Sequence, residues 1–173
     1  MIISVEEVKK YITTSEEDSV LEARLQALEL LIRKHTNNNF QKRAFRSIGV
    51  IENGKLYCDT VLFGDGDTVE ISDSRFNAGL LVVNGMTEGS IPCEGYFDEA
   101  EVLVTKVEYP VDVVMGVVNM LRWEIENRSK VGIQSETISR HSVTYFNMDG
   151  DNSVMGYPKS LLGFLTPYMK ARF

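Results

Sequence analysis

Little in this 173-residue sequence is of the kind that metal or covalent chemistry depends on. There are two cysteines, Cys58 and Cys93, and two histidines, His35 and His141, with no close pairing among them. That excludes the usual zinc-ligand spacing, and in a reducing cytoplasm both cysteines are expected to be buried free thiols. No apolar run approaches the roughly 20 residues that cross a bilayer, so no membrane association is expected. The opening Met1-Ile-Ile-Ser-Val-Glu-Glu-Val-Lys-Lys10 lacks the basic region, apolar run and cleavage site of a signal peptide, which leads to the expectation of synthesis in the cytoplasm. Positive charge is also short: 18 Lys and Arg stand against 25 Asp and Glu, a net charge of −7. Gripping nucleic acid needs clustered cations, so the balance argues against it; an acidic wall that DNA slides past is compatible with it.

Motifs of catalysis are equally sparse. Asp65 and Asp67, or Asp149 and Asp151, sit in acidic turns but do not supply the ligand series of a calcium loop. Ser139-Arg-His-Ser142 holds a nucleophile beside a base, yet neighbours on a strand point to opposite faces, and no G-x-S-x-G elbow occurs. Gly64-Asp-Gly-Asp-Thr68 carries acids and lacks the lysine of a phosphate loop. A helix-turn-helix reading of the first two helices fails on Glu16, Glu17 and Asp18, which would repel phosphate. No catalytic residue, cofactor or metal is therefore assigned.

What is present is an ordinary globular pattern, with 43% hydrophobic and 25% charged residues. Ser4-Val-Glu-Glu7 is a capping box opening a short helix to about Tyr11, and Thr14-Ser-Glu-Glu17 offers a second. Leu21, Leu25, Leu28 and Ile32 form a helical stripe continued by His35, with Glu22, Gln26, Glu29 and Arg33 on the opposite face. Asn37-Asn38-Asn39 ends that helix, since asparagine tolerates the left-handed conformation. From about Ala44 the period changes to two. Asn53-Gly54 is a hairpin signal, and four or five short strands up to Glu108 predict a small barrel or curled sheet. Tyr109-Pro110 restores helix, with Val114, Val117, Val118, Leu121 and Ile125 as its buried stripe and Gly132 as its stop. A hairpin from Glu136 to Phe146 and a last helix from Pro158, with Leu161, Leu165 and Tyr168 aligned, complete the chain. The expected fold is thus α+β and mainly helical. Residues 1–43 and 109–173 would form a discontinuous helical bundle, and residues 44–108 an inserted, β-barrel-like lobe.

Two features look like interfaces. Trp123 falls opposite the Val114/Leu121 stripe, beside Gly116 and Asn119; it either anchors a partner subunit or packs under the β lobe. The terminal Tyr168-Met-Lys-Ala-Arg-Phe173 combines aromatic, Met and basic residues where a mobile polar end is the norm, and either orders on binding or frays.

These residues also carry a resemblance. Val5-Glu-Glu-Val-Lys-Lys-Tyr11, the acids at Glu16 to Asp18 and the long helix ending near Asn38-Asn39-Phe40 resemble the opening of head–tail connector (head-completion adaptor) proteins of long-tailed phages. Ser135-Glu-Thr-Ile-Ser139, Ser142-Val-Thr-Tyr145, Gly156-Tyr-Pro-Lys-Ser160 and Leu165-Thr-Pro-Tyr-Met-Lys-Ala-Arg-Phe173 are similar to that family's C-terminal pattern. The two stretches cover about half the chain. The sixty or so residues between them depart from the family, whose members are often small and nearly all-helical. The resemblance implies a non-enzymatic virion protein made in the host bacterial cytoplasm. It would form a homo-oligomeric ring, dodecameric in the family, under the portal protein. The ring would extend the channel for double-stranded DNA and receive a stopper or tail protein. It further implies portal binding through Tyr168, Met169, Lys170, Arg172 and Phe173; the helical angle, not the resemblance, is what puts Trp123 at a subunit interface. A stopper or tail-end protein, a small metal-dependent or hydrolytic enzyme and an acidic DNA-binding regulator are the rival readings.

Overall fold

The computed structural model describes residues 1–127, 135–138, 141–144 and 151–171. It divides into two compact units: residues 1–2 with 38–109, and residues 3–37 with 110–173.

The first unit is a curled antiparallel sheet of six strands. In chain order these are β1 (Gln41–Glu52), β2 (Lys55–Tyr57), β3 (Thr68–Ser72), β4 (Gly79–Val82), β5 (Ser90–Pro92) and β6 (Glu99–Val107). They lie side by side as β4-β3-β6-β1-β2-β5. The Asn53-Gly54 signal holds: both residues have positive φ, 51° and 71°, and they join β1 to β2 with Glu52 opposite Lys55. β1 pairs with β6 in a register that slips between Gln41 and Arg46 and again between Gly49 and Ile51. Such bulges bend a strand and raise its twist, which curls the sheet. At the second slip Gly49 is required by close approach, since a Cβ there would lie 2.8 Å from Leu56 Cδ1 and 3.0 Å from the Tyr57 carbonyl oxygen. The concave side buries Ile51, Leu56, Phe63, Val69, Ile71, Val83, Ile91, Cys93, Val102 and Val104. Each of the aliphatic and phenylalanine side chains contributes roughly 1.5–3 kcal/mol on burial.

A loop between β3 and β4 is held against the start of β6 by a polar clamp. The Ser74 hydroxyl and the Arg75 N–H each donate to Glu99 at 2.6 Å, and buried Asn77 donates its amide to Glu99 Oε2 and to the Phe97 carbonyl, both at 2.9 Å. In return Asn77 Oδ1 accepts the Phe97 N–H at 2.9 Å.

The second unit holds the two long helices, α2 and α3. Its elements are α1 (Val5–Val8), α2 (Asp18–Thr36), α3 (Val111–Asn127), β7 (Ser135–Ile138), β8 (His141–Thr144), β9 (Ser153–Val154), β10 (Tyr157–Pro158) and α4 (Lys159–Leu162), closed by a 3-10 helix, Gly163–Tyr168. β7 pairs with β8, and β9 with β10, as two small antiparallel hairpins. Leu21, Leu25, Leu28 and Ile32 are buried as their spacing requires. Asn37 caps α2 in the left-handed conformation at φ 50°. Pro110 precedes α3, and its carbonyl accepts the Val114 N–H.

The expectation of a mainly helical, discontinuous bundle is overturned. The largest element of the chain is the six-stranded sheet, whose first strand starts at Gln41 rather than Ala44. Helix formation is also shorter than the sequence suggested. α1 is a single turn, and the C-terminal helix is four residues of α-helix followed by 3-10 helix, in which Pro167 removes a backbone donor. The second capping box does not form: the Thr14 hydroxyl accepts from Glu16 N–H, and α2 begins after Glu17 without a side-chain cap. Glu29 and Arg33 are only 2% and 9% exposed, not on a solvent face. They share a side of α2 with buried Thr36, and the C-terminal 3-10 helix packs on α2. Gly132, Ser139, Arg140 and Asp149 lie outside the described residues.

α3 is covered on two sides, packing on α2 and on the α4/3-10 segment. Its buried set therefore spreads beyond one stripe, to Val113, Gly116, Val117, Val118, Met120 and Leu121, while Val114 and Ile125 are half-buried. Gly116 is where the second cover comes closest: a Cβ would sit 2.3–2.5 Å from three ring carbons of Phe164. Gly116→Ala should destabilise the protein by about 1–3 kcal/mol in denaturant unfolding, the usual range for overpacking. Combined with Phe164→Leu the loss should be less than additive; an additive pair would show that the contact is not what excludes the methyl group.

A second prediction concerns the clamp. The Ser74 hydroxyl, then the Arg75 N–H, hold the Glu99 carboxyl below the usual carboxylate range, with burial opposing and Asn77 adding to the effect. A carboxyl depressed in the folded state stabilises fully above its unfolded pKa, and that contribution disappears as pH falls through the folded value. The melting temperature should decline through the acid carboxylate range, and Glu99→Gln should flatten that decline. An unaltered acid limb would remove Glu99 from its cause.

Candidate functional site

The described interface candidates all belong to the second unit but are not brought together: Tyr168 lies by the first turn of α3 and Trp123 toward its other end. Tyr168 ends the 3-10 helix, and its hydroxyl donates to both carboxylate oxygens of Asp112, at 2.8 Å each. Asp112 lies in the first turn of α3, where a negative charge is favoured by the free amides, and it also accepts the Val113 N–H. The anionic acceptor raises the Tyr168 phenol above its ordinary pKa, with burial second and the carboxylate charge third.

Beyond Tyr168 the chain runs against the end of α2. The last carbonyls of a helix lack partners of their own, and here that of Thr36 accepts the Lys170 N–H at 2.8 Å. Asn37, placed by its left-handed conformation, donates its side-chain amide to the Ala171 carbonyl at 2.8 Å. Both bonds engage the tail's backbone. The side chains of Met169, 53% exposed, and Lys170, also exposed, are left to solvent. Arg172 and Phe173 lie outside the described residues.

Trp123 is half-buried on α3, with its ring 5.5 Å from that of Tyr157. The Tyr157 hydroxyl donates to Glu124 Oε2 at 3.0 Å, and Arg24 on α2 bridges Glu124 at 3.6 Å and Glu16 at 2.9 Å. Trp123 and Gly116 are thus contacted by this unit's own C-terminal segment, through Tyr157 and Phe164. Sequence reasoning missed Asp112, Thr36 and Asn37 as partners of the tail, and Tyr157 and Phe164 as those of Trp123 and Gly116. One signal was available: a glycine within a valine-rich helix marks a close approach.

Among the described residues no group of three or more His, Cys, Asp or Glu is placed to hold a metal ion. Asp67 pairs with Lys106 at 2.6 Å and accepts the Gly64 N–H, and Asp65 accepts the Met86 N–H, so both organise turns. His35 is half-buried beside Leu30, Leu31, Lys34 and Met155 in a shallow groove. Burial, then neighbouring Asp59, pushes the Cys58 thiol up to about 11, and burial raises Cys93, so neither is a thiolate nucleophile at neutral pH. No helix among the described residues is long and apolar enough to cross a membrane.

Tyr168 supplies a test of the tail's anchorage. Its raised pKa means that its contribution is complete below the unfolded tyrosine value and is lost as pH rises through the folded one. Absorbance titration should show Tyr168 ionising late together with Tyr96, which burial also raises; Tyr168→Phe should remove one of these two late ionisations, and Asp112→Asn should return it to the ordinary range. A wild-type curve matched by Asp112→Asn would refute the contact. Comparison of the chain with protein-family models and with curated proteins finds no match.

Proposed function

We propose that this protein is a structural adaptor at the portal vertex of a tailed phage, carried in the virion between head and tail. The observation that carries this reading is the convergence of the two connector-like ends. Residues 3–37 and 110–173 fold into one unit, while the stretch that departs from the family forms the other. Within that unit the C-terminal segment is held by its backbone at Thr36 and Asn37, with Met169 and Lys170 turned outward, as a docking segment for a portal subunit requires. Copies would assemble head to tail into a closed ring, an interface class that leaves every subunit's tail on the same side. A net charge of −7 suits a ring through which DNA slides without being gripped.

Electron microscopy of a lysate in which this gene carries a stop codon tests the role. Separate tails beside heads that have packaged or lost DNA are expected; intact tailed particles would overturn the proposal. For the docking segment, Met169→Asp combined with Lys170→Glu should weaken binding to purified portal by about tenfold or more, the scale of an interface hot spot. The melting temperature should be unchanged, because both side chains are exposed. Undiminished portal binding would remove the tail from the interface.

A further inference from the structure

We infer that the outer edge of β4, with Phe76 and Phe97 beside it, is a docking surface for an extended apolar strand bearing an acidic residue, donated by a different protein chain. The inference rests on the first unit alone and does not depend on the connector reading.

Among the described residues β4 is an end strand of the sheet, paired with β3 alone. Its register with β3 places Leu81 opposite Val69 and Gly79 opposite Ile71, and Val83 N–H donates to the Asp67 carbonyl. Alternation along an antiparallel pair then turns the N–H and C=O groups of Leu80 and Val82 away from β3. Such a row of backbone groups is matched by another backbone, the basis of strand addition. Gly79-Leu-Leu-Val82 is short but carries neither charge, nor proline, nor bulge to protect the edge. The opposite edge is protected. On β5, Ser90 exchanges backbone hydrogen bonds with Thr87 at 3.0 and 3.2 Å, and Pro92 has no N–H.

Next to the open edge, the loop before β4 carries Phe76, 59% exposed, and Phe97 is 66% exposed across from it, with ring centroids 5.9 Å apart. Two large aromatic rings in water are unusual, and these do not belong to a loose loop: the Ser74–Asn77–Glu99 clamp fixes both backbones. With Asn77, Ala78, Gly95 and Tyr96 they line a shallow depression that reaches Ala78, the residue before β4. The Arg75 guanidinium lies 5.1 Å over the Phe76 ring. Arg75 is exposed and ion-pairs with no described residue, so its charge is available to an acidic side chain of the incoming strand.

The occupant is therefore defined by three complementary features: a free backbone edge, apolar side chains facing Leu80, Val82 and the aromatic pair, and a carboxylate for Arg75. A second copy fits less well, because its β5 edge is closed and its own β4, Gly79-Leu-Leu-Val82, brings no carboxylate to Arg75.

The test uses the full chain and a fluorescein-labelled peptide of alternating valine and threonine with glutamate at both ends. A counterpart has lysine at both ends, and two versions of the glutamate peptide are N-methylated on one or the other alternate set of residues. The glutamate probe should bind, with the lysine probe roughly tenfold weaker, the effect of one charge contact. Arg75→Glu, a change at an exposed side chain whose clamp contact is made by the backbone N–H, should reverse that order. One N-methylated probe should retain binding and the other lose it, since only one set of amides faces the edge. Several results would overturn the inference. These are the absence of saturable binding by either probe, equal binding of the two methylated probes, and an affinity order unmoved by Arg75→Glu. A concentration-dependent dimer that excludes the probe would assign the edge to a second copy instead.

Discussion

The pairing of β1 with β6 is the constraint on which the sheet unit depends. A stretch inserted between two helices must bring its ends together, and these strands do so, with Gln41 opposite Val107. The ends are fastened further by Glu108 N–H donating to the Phe40 carbonyl, by Phe40 and Tyr109 with ring centroids 4.9 Å apart, and by the Lys42–Glu108 ion pair. Loop-closure entropy is thereby confined to one place, and the remaining strands are added through turns or short connections. The bulges in the same ladder supply the curl that lets one face enclose a core. Strand pairing, curvature and insertion geometry are consequences of a single ladder.

An analogous economy governs α3. Buried on two sides, it needs one face small enough for an aromatic ring, and Gly116 under Phe164 meets that need. A glycine inside a helix costs roughly 1 kcal/mol relative to alanine, so its presence makes sense where contact with the ring offsets the loss. That contact directs the C-terminal segment along the helix. Tyr168 then reaches Asp112, and the following backbone reaches the free carbonyl of Thr36. The position of the tail is the end of a chain of packing decisions that begins with a missing side chain.

Local rules were legible in the sequence where one interaction decides the outcome. Asn53-Gly54 specified a hairpin and Asn37 a helix end because each needs a left-handed backbone that few residues adopt. The apolar spacing from Leu21 to Ile32 marked a helix because its buried face repeats. Legibility failed where a second layer intervened. Glu29 and Arg33 looked like a solvent pair until another element covered them, and Tyr157, the ring beside Trp123, could not be named because it lies 34 positions along the chain. The share of helix was overestimated for a related reason. Short apolar runs near the C-terminus fit helical spacing, but segments of four residues cannot sustain a helix against proline and hairpin pairing. The clamp of Ser74, Asn77 and Glu99 could not be read at all, since Glu99 and Ser74 become neighbours only through the β3–β6 pairing.

The tail and the β3–β4 loop solve one problem in the same way. A surface meant for recognition must leave side chains exposed, yet a segment whose side chains face water has little apolar burial to hold it. In both places the backbone is held by polar groups: Thr36 and Asn37 hold the tail, and Glu99 and Asn77 hold the loop. Each bond contributes only about 0.5–1.5 kcal/mol net, but several together order the segment before any partner arrives. Conformational entropy is then lost on folding rather than on binding, and exposed Met169, Phe76 and Phe97 are offered in a defined geometry. Exposed apolar side chains invite self-association, and a net charge of −7 opposes it through mutual repulsion. On the proposed readings the acidity of the chain therefore opposes self-association through its exposed apolar side chains, independently of any DNA.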